Sequence, residues 1–146
     1  MFQTCLNKQS QIKELFSTCS TPEDRYQKII EFGRQQANLT DLEKVPTNLV
    51  KGCQSQMYLS SSLINGQIFF RAESDALISA GLAALLVKVY SGETPETVLK
   101  CPPTYLDELG ISASLTPNRA NGLYSMYLRM KQDALKWLIN VEKTIG

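Results

Sequence analysis

The fold is decided by the sequence MYLSSSLINGQIFFRAE, which occupies residues 57–73. Two strand-like runs, 57–64 and 67–71, flank the dipeptide Asn65-Gly66. Asn-Gly is the preferred pair of a type I′ turn, because both central residues of that turn need a positive φ angle. The stretch therefore predicts a β-hairpin, which gives the rest of the chain a sheet to pack against.

Helical patterns lie on both sides of the hairpin. Three of them open with Thr-Pro, which combines a capping hydroxyl with a proline suited to the first helical turn. Residues 76–91 leave almost no polar face, so we expect them to form a central buried helix, capped by Ser74 or Asp75 and ended by Gly92. The expected helices are 6–19, 21–37, 76–91, 94–100, 104–110 and 116–143, with a connector at 38–48 and a short strand at 49–50.

Composition places the chain among ordinary soluble proteins. It has 146 residues, of which 43% are hydrophobic and 20% charged, and we expect one domain over 1–146. The net charge of +1 gives no reason to expect a nucleic acid or an anionic membrane as partner. No apolar run approaches the roughly 20 residues of a membrane span, and the N-terminus does not resemble a secretory signal. We therefore expect a cytoplasmic protein whose thiols stay reduced.

The sequence contains no histidine. This removes Ser-His and Cys-His nucleophile pairs, histidine-based zinc sites and histidine acid–base chemistry. The four cysteines form no C-x-x-C pair, so the spacing indicates neither a zinc site nor a thioredoxin-like motif, and we expect no metal and no disulfide framework. They are Cys5, Cys19, Cys53 and Cys101.

Cys53 differs from the other cysteines in its neighbours. Lys51 precedes it, polar residues follow it, and Gly52 gives the backbone freedom beside it. This pattern is typical of a loop tip that presents a thiol next to the predicted hairpin, although from the residues alone a structural role stays open. We expect Cys19 to pack in the core, Cys5 to lie at a frayed terminus, and Cys101 to be a spacer beside two prolines.

Three segments in order resemble the SufE family, the sulfur acceptors of cysteine desulfurases in iron–sulfur cluster assembly. They are GCQSQ at 52–56, ESDA at 73–76 and LTPNR at 115–119, and the resemblance runs from the second helix to the last. It implies a small α+β domain of the SufE/IscU-like kind, with a three-stranded antiparallel sheet packed by helices and a long C-terminal helix. Cys53 would lie at the tip of the loop that enters the second strand.

The resemblance also implies a function. Cys53 would be the acceptor cysteine, carrying a transient persulfide with no cofactor of its own, in a carrier and activator protein rather than an enzyme. The partner would be a SufS-type cysteine desulfurase, which carries the PLP, and the onward acceptor a SufBCD-type scaffold. We expect a monomer or weak homodimer. The residues carried over as loop supports or docking contacts are Lys51, Gly52, Gln54, Gln56, Asp75 and Arg119.

Some roles stay open. Lys51 and Arg119 are candidates for activating the thiolate, together with backbone amides or the partner's site, and Asp75 can equally be a helix cap. We expect the loop to rest against an apolar pocket near Met57, Tyr58 and the helix of 76–89, and to swing out on docking. The family often has tryptophan at the position of Tyr58, and some members have histidine at the position of Ser114.

Two other classes of function remain. A thiol redox sensor or peroxidase-like protein needs a resolving cysteine, and only Cys101 looks exposed enough for that role. A cluster scaffold needs about four ligands per cluster, which one loop cysteine and three scattered cysteines do not supply.

Overall fold

The computed structural model describes the backbone of residues 2–145 and the side chains of residues 2–140 except 112 and 114. Helices and a hairpin combine in an α+β architecture. Among the described residues no helix is both long enough and apolar enough to cross a membrane. The helices and strands are α1 (Gln3–Phe16), α2 (Pro22–Arg34), β1 (Met57–Ile64), β2 (Gln67–Ser74), α3 (Leu77–Tyr90), α4 (Pro95–Lys100), α5 (Thr104–Glu108), α6 (Ile111–Ser114) and α7 (Pro117–Ile145).

The predicted hairpin is confirmed. Strands β1 and β2 pair antiparallel from Met57 opposite Ser74 to Ile64 opposite Gln67. Asn65 and Gly66 have φ angles of 52° and 79°, the positive values that a type I′ turn needs. Alternate residues of β2 are buried and α3 packs against this strand, whereas β1 is buried only in its first half, so β2 and α3 together form the centre of the core.

The prediction of a third strand is wrong. Leu49 makes a single isolated bridge with Tyr58, and the Val50 N–H donates to the Met57 carbonyl at 2.8 Å. A 3₁₀ turn occupies Pro46–Asn48, and a turn begins again at Lys51, so only two residues between these turns are extended. The described part of the chain therefore contains a two-stranded sheet within the expected α+β class.

Helix α3 lies against α2 at a point where two glycines meet. A Cβ on Gly81 would overlap the Ile29 carbonyl oxygen and lie 2.6 Å from the Ile29 carbonyl carbon. A Cβ on Gly33 would lie 2.7 Å from the Gly81 amide nitrogen. The backbones of the two helices are thus in direct contact, and this close approach requires glycine at the crossing.

The three Thr-Pro helix starts are confirmed as caps. The hydroxyls of Thr21, Thr94 and Thr116 accept hydrogen bonds from the amide three residues later, at 3.1, 3.2 and 3.4 Å. The prediction that Ser74 or Asp75 caps α3 is wrong, because the N-cap position falls on Ala76 and has no side-chain hydrogen bond. Asp75 is therefore one residue too early to cap, and its carboxylate binds another part of the chain. Helix α2 also ends earlier than expected, at Arg34.

Cys5 and Cys101 do not lie where the sequence suggested. Cys5 is fully buried and Cys101 is 3% exposed. The Gln9 side-chain amide lies 3.6 Å from the Cys5 Sγ and 3.7 Å from the Cys101 Sγ. Burial raises the pKa of Cys5 from 9.0 to about 12.

Cys5 is buried because α1 already begins at Gln3 and is held by an ion pair of 2.6 Å between Lys8 and Glu93. Cys101, at 3% exposure, lacks the accessibility that a resolving cysteine needs. Cys19 is half-buried and packs against the core, as expected.

Candidate functional site

Cys53 lies in the loop of residues 51–56, which leads into β1. Gln56 and Asp75 close this loop at its C-terminal end. The Gln56 N–H donates to the Asp75 carboxylate at 3.0 Å, and the Asp75 N–H donates to the Gln56 carbonyl at 3.2 Å. The Ser55 hydroxyl lies 2.9 Å from the Ser79 hydroxyl on α3. The loop is therefore fixed to the end of the hairpin and to α3, and the Asp75 carboxylate bonds to the loop instead of capping α3.

The tip of the loop rests on α7. Gly52 has a φ angle of +88°, and a Cβ at that position would overlap the Ser125 hydroxyl oxygen. Both the backbone angle and the lack of space favour glycine here. The Cys53 Sγ lies 3.6 Å from the Gly122 carbonyl oxygen, so one turn of α7 holds the tip of the loop.

The Cys53 thiol lies at a cavity of about 270 Å³. Its buried wall is apolar and comes from β1, α3 and α7, whereas Gln54 and Arg119 lie on its exposed side. The apolar pocket expected near Met57 and α3 is present, but Tyr58 does not line it. The main residues of the buried wall are Met57, Leu82, Ala83, Leu123 and Met126.

Burial raises the pKa of the Cys53 thiol above its ordinary value. The Arg119 guanidinium lies at the cavity but does not offset this effect, and Lys51 is exposed on the loop outside the cavity. The isolated protein therefore holds Cys53 as a neutral thiol at pH 7. The activators expected from the sequence, namely Lys51, Arg119, backbone amides and the site of a partner, stay predictions.

The pH dependence of Cys53 alkylation tests this state. We expect the rate of reaction with iodoacetamide, followed by peptide mapping, to rise with pH and to reach its midpoint above 9.0, because the thiolate reacts and burial disfavours it. The urea-unfolded protein, which serves as the control, should show a lower midpoint. A folded-state midpoint below that of the unfolded protein would mean that a cation does activate Cys53.

Apart from Gly52, which rests on α7, the structure divides the predicted supporting residues into three groups. Gln54 and Arg119 share the cavity of Cys53, and Gln56 and Asp75 bind each other. Lys51 instead lines a groove beside the loop. These placements fix positions but leave the roles of the residues as predictions.

Sequence reasoning placed Arg119, in the first turn of α7, at the site but missed the contributions of Gly122 and Arg129 further along this helix. Arg129 donates to the Leu49 carbonyl at 3.2 Å and to the Thr47 carbonyl, and its Nε donates to Asp133 at 3.0 Å. Arg129 thereby ties the segment before the loop to α7. Gly122, which follows the LTPNR segment, was a further signal for this helix.

The chain matches the family model described as "SufE: Fe-S metabolism associated domain" over residues 10–134. An uncharacterised SufE-like protein of Synechocystis is 32% identical over 126 residues, which cover 86% of this chain and 79% of that protein. The chloroplastic/mitochondrial SufE-like protein 1 of Arabidopsis thaliana is 33% identical over 129 residues. That match covers 88% of this chain but only 35% of the longer plant protein.

A solved structure has a similar fold. The solution structure of a hypothetical protein from Thermus thermophilus superposes with a TM-score of 0.74 at 27% identity, covering 90% of this chain and 96% of that chain. The fold class, the sequence match over most of the length and the two relatives agree with the resemblance of the loop segment. The chain belongs to the SufE family, which is associated with Fe-S metabolism.

Proposed function

We propose that Cys53 accepts sulfane sulfur from the persulfide of a partner cysteine desulfurase of the SufS type. The observation that carries this proposal is the position of Cys53, whose thiol lies on a surface loop yet packs against a cavity with an apolar wall. A loop thiol can reach a partner's reactive sulfur, and the cavity offers the product shelter from water and oxidants. Membership in a family associated with Fe-S metabolism supports a role in sulfur supply.

The transfer is a thiol exchange that balances without an oxidant or reductant. The thiolate of Cys53 attacks the outer sulfur of the donor's persulfide. A new S–S bond forms at Cys53, the S–S bond of the donor breaks, and the electron pair leaves with the donor cysteine as its thiolate. The proton that Cys53 loses returns to the donor side, so the products are a persulfide on Cys53 and a free donor thiol.

A neutral Cys53 thiol in the free protein fits a reaction that begins only when the partner binds. Because burial disfavours the thiolate, the free protein exposes little of the form that oxidants attack. Docking would swing the loop out of the cavity and bring Cys53 to the partner, whose site would favour the thiolate. Gln54 and Arg119, on the exposed side of the cavity, are then the first residues that the partner meets.

The protein would act as a carrier and activator. By removing the sulfur from the desulfurase it would free that enzyme for its next cycle, and it would then pass the sulfur to a SufBCD-type scaffold for cluster assembly. The PLP belongs to the desulfurase, and this chain contributes only the transient persulfide. Such a reaction needs a compartment where thiols stay reduced, such as the cytosol.

Intact-protein mass spectrometry tests the proposal. The protein is mixed with a SufS-type desulfurase and cysteine without reductant, and peptide mapping locates any added sulfur. We expect one extra sulfur on Cys53, which dithiothreitol removes. If a desulfurase shown to carry its own persulfide adds no sulfur to Cys53, the proposed function is wrong.

A further inference from the structure

A second surface lies beside the Cys53 loop, on the neighbouring face of α7. It is a groove of about 620 Å³ that includes Lys51 of the loop, the segment before the loop and one face of α7. We call it the basic groove. The residues that define it here are Thr47, Leu49, Lys51, Leu128, Arg129 and Lys136.

The basic groove carries positive charge that the rest of the protein does not neutralise. Three of the described residues that line the groove are basic, namely Lys51, Arg129 and Lys136, and none is acidic, although the whole chain is nearly neutral with 15 basic and 14 acidic residues. Arg129 is paired with Asp133, which is 7% exposed. Within the described part of the chain, neither Lys51 nor Lys136 has an ion-pair partner, so both present their charge to solvent.

Apolar side chains accompany this charge along α7. Leu128 lies in the groove, and Leu135 and Ile139 follow it on the same side of the helix at spacings of about two and three turns. All three are between 41% and 47% exposed. Aliphatic surface with unpaired cations beside it is complementary to a protein segment that carries both carboxylates and apolar side chains.

The groove is also connected to the reactive loop. Lys51 lies two residues before Cys53, and Arg129 binds the carbonyls of Thr47 and Leu49 just before the loop. A molecule bound along the groove would therefore touch the segment that sets the position of the loop, and its end would lie close to the thiol. A sulfur donor gains most from such a site, because its persulfide must reach Cys53.

We propose that the basic groove docks an acidic and partly apolar segment of the cysteine desulfurase that donates sulfur to Cys53. This inference rests on the proposed function and adds the surface and the chemistry by which the donor is recognised. Complementary charge speeds encounter and fixes the orientation of the two proteins more than it adds affinity. The charge of the groove therefore controls how often the donor's persulfide meets the loop.

The test replaces Lys136 by glutamate and measures sulfur transfer from a desulfurase charged with persulfide. We expect the second-order rate of transfer to Cys53 to fall at least about tenfold at low salt, and the difference from wild type to shrink in ~0.5 M NaCl. The matched control is Lys100→Glu, at an exposed lysine that does not line the groove, and it should stay within about twofold of wild type. Alkylation of Cys53 by iodoacetamide, which needs no docking, should be the same in both variants.

Binding of the desulfurase, measured in parallel by fluorescence anisotropy, separates the two ways of failing. If wild type accepts sulfur and Lys136→Glu matches Lys100→Glu in rate and binding, the groove proposal is overturned and the proposed function stands. If wild type binds but accepts no sulfur, the proposed function fails. The groove proposal then stands if Lys136→Glu binds the desulfurase more weakly than Lys100→Glu, and it is overturned if the two variants bind equally. If wild type neither binds nor accepts sulfur, both are overturned. Loss of RNA or anionic-vesicle binding in Lys136→Glu, with transfer unchanged, would assign the groove to another occupant.

Discussion

A Cys53→Ser protein is expected to take up no sulfur from a charged cysteine desulfurase while it keeps its fold. A serine hydroxyl is not ionised near neutral pH and cannot form a persulfide, so the acceptor reaction has no replacement at this position. The fold should tolerate the change, because the Cys53 side chain is half-buried and its polar contact is the Gly122 carbonyl at 3.6 Å. We expect the free energy of unfolding to change by less than about 1 kcal/mol. Intact mass after incubation with desulfurase and cysteine measures the uptake.

The matched control is Cys19→Ser. Cys19 is also half-buried but does not line the cavity, so its replacement should leave sulfur uptake at the wild-type level. The two variants also separate transfer from recognition, since Cys53→Ser should still bind the desulfurase without stimulating it. Sulfur uptake by Cys53→Ser equal to that of wild type would show that another cysteine is the acceptor.

The sequence was most informative where local chemistry decides the backbone. The Asn65-Gly66 turn and the three Thr-Pro helix starts depend on φ angles and side-chain caps within a few residues, and all of them are confirmed. The predictions failed where unrecognised turns or distant contacts decide. The 3₁₀ turn at Pro46 and the turn at Lys51 reduce the third strand to one bridge, and the anchoring of α1 buries a cysteine that local reasoning placed at a frayed end.

The site follows the same division. A glycine and polar residues beside Cys53 indicated a loop thiol from local pattern alone, and the structure places it on such a loop. Of the cavity walls, the sequence could predict only those from β1 and α3, because these elements follow the loop closely in the chain. The contacts from Gly122 and Arg129 join residues that are 69 and 80 positions apart, and periodicity cannot predict which face of α7 meets the loop.

Gly81→Ala is expected to produce the largest loss of stability among single methyl additions at the glycines of this fold. Alanine normally stabilises a helix by about 1 kcal/mol relative to glycine. At position 81 the added Cβ would overlap the Ile29 carbonyl oxygen and lie 2.6 Å from the Ile29 Cγ2, and backbone cannot move aside as a flexible side chain can. Helices α2 and α3 would have to separate, so we expect the free energy of unfolding to fall by about 3 kcal/mol or more. Urea unfolding followed by circular dichroism measures the change.

Gly122→Ala provides the control, because it is the same change inside a helix. There the nearest heavy atom to the new Cβ is the Cys53 Sγ at 3.7 Å, an ordinary van der Waals distance. We expect this variant to be as stable as wild type or more stable by up to about 1 kcal/mol. The opposite signs at two helical glycines would show that helix propensity is not what selects glycine at position 81. Equal effects would mean that α2 and α3 are not in backbone contact. Because α3 supplies Leu82 and Ala83 to the cavity wall, the contact with α2 also holds one side of the cavity in place.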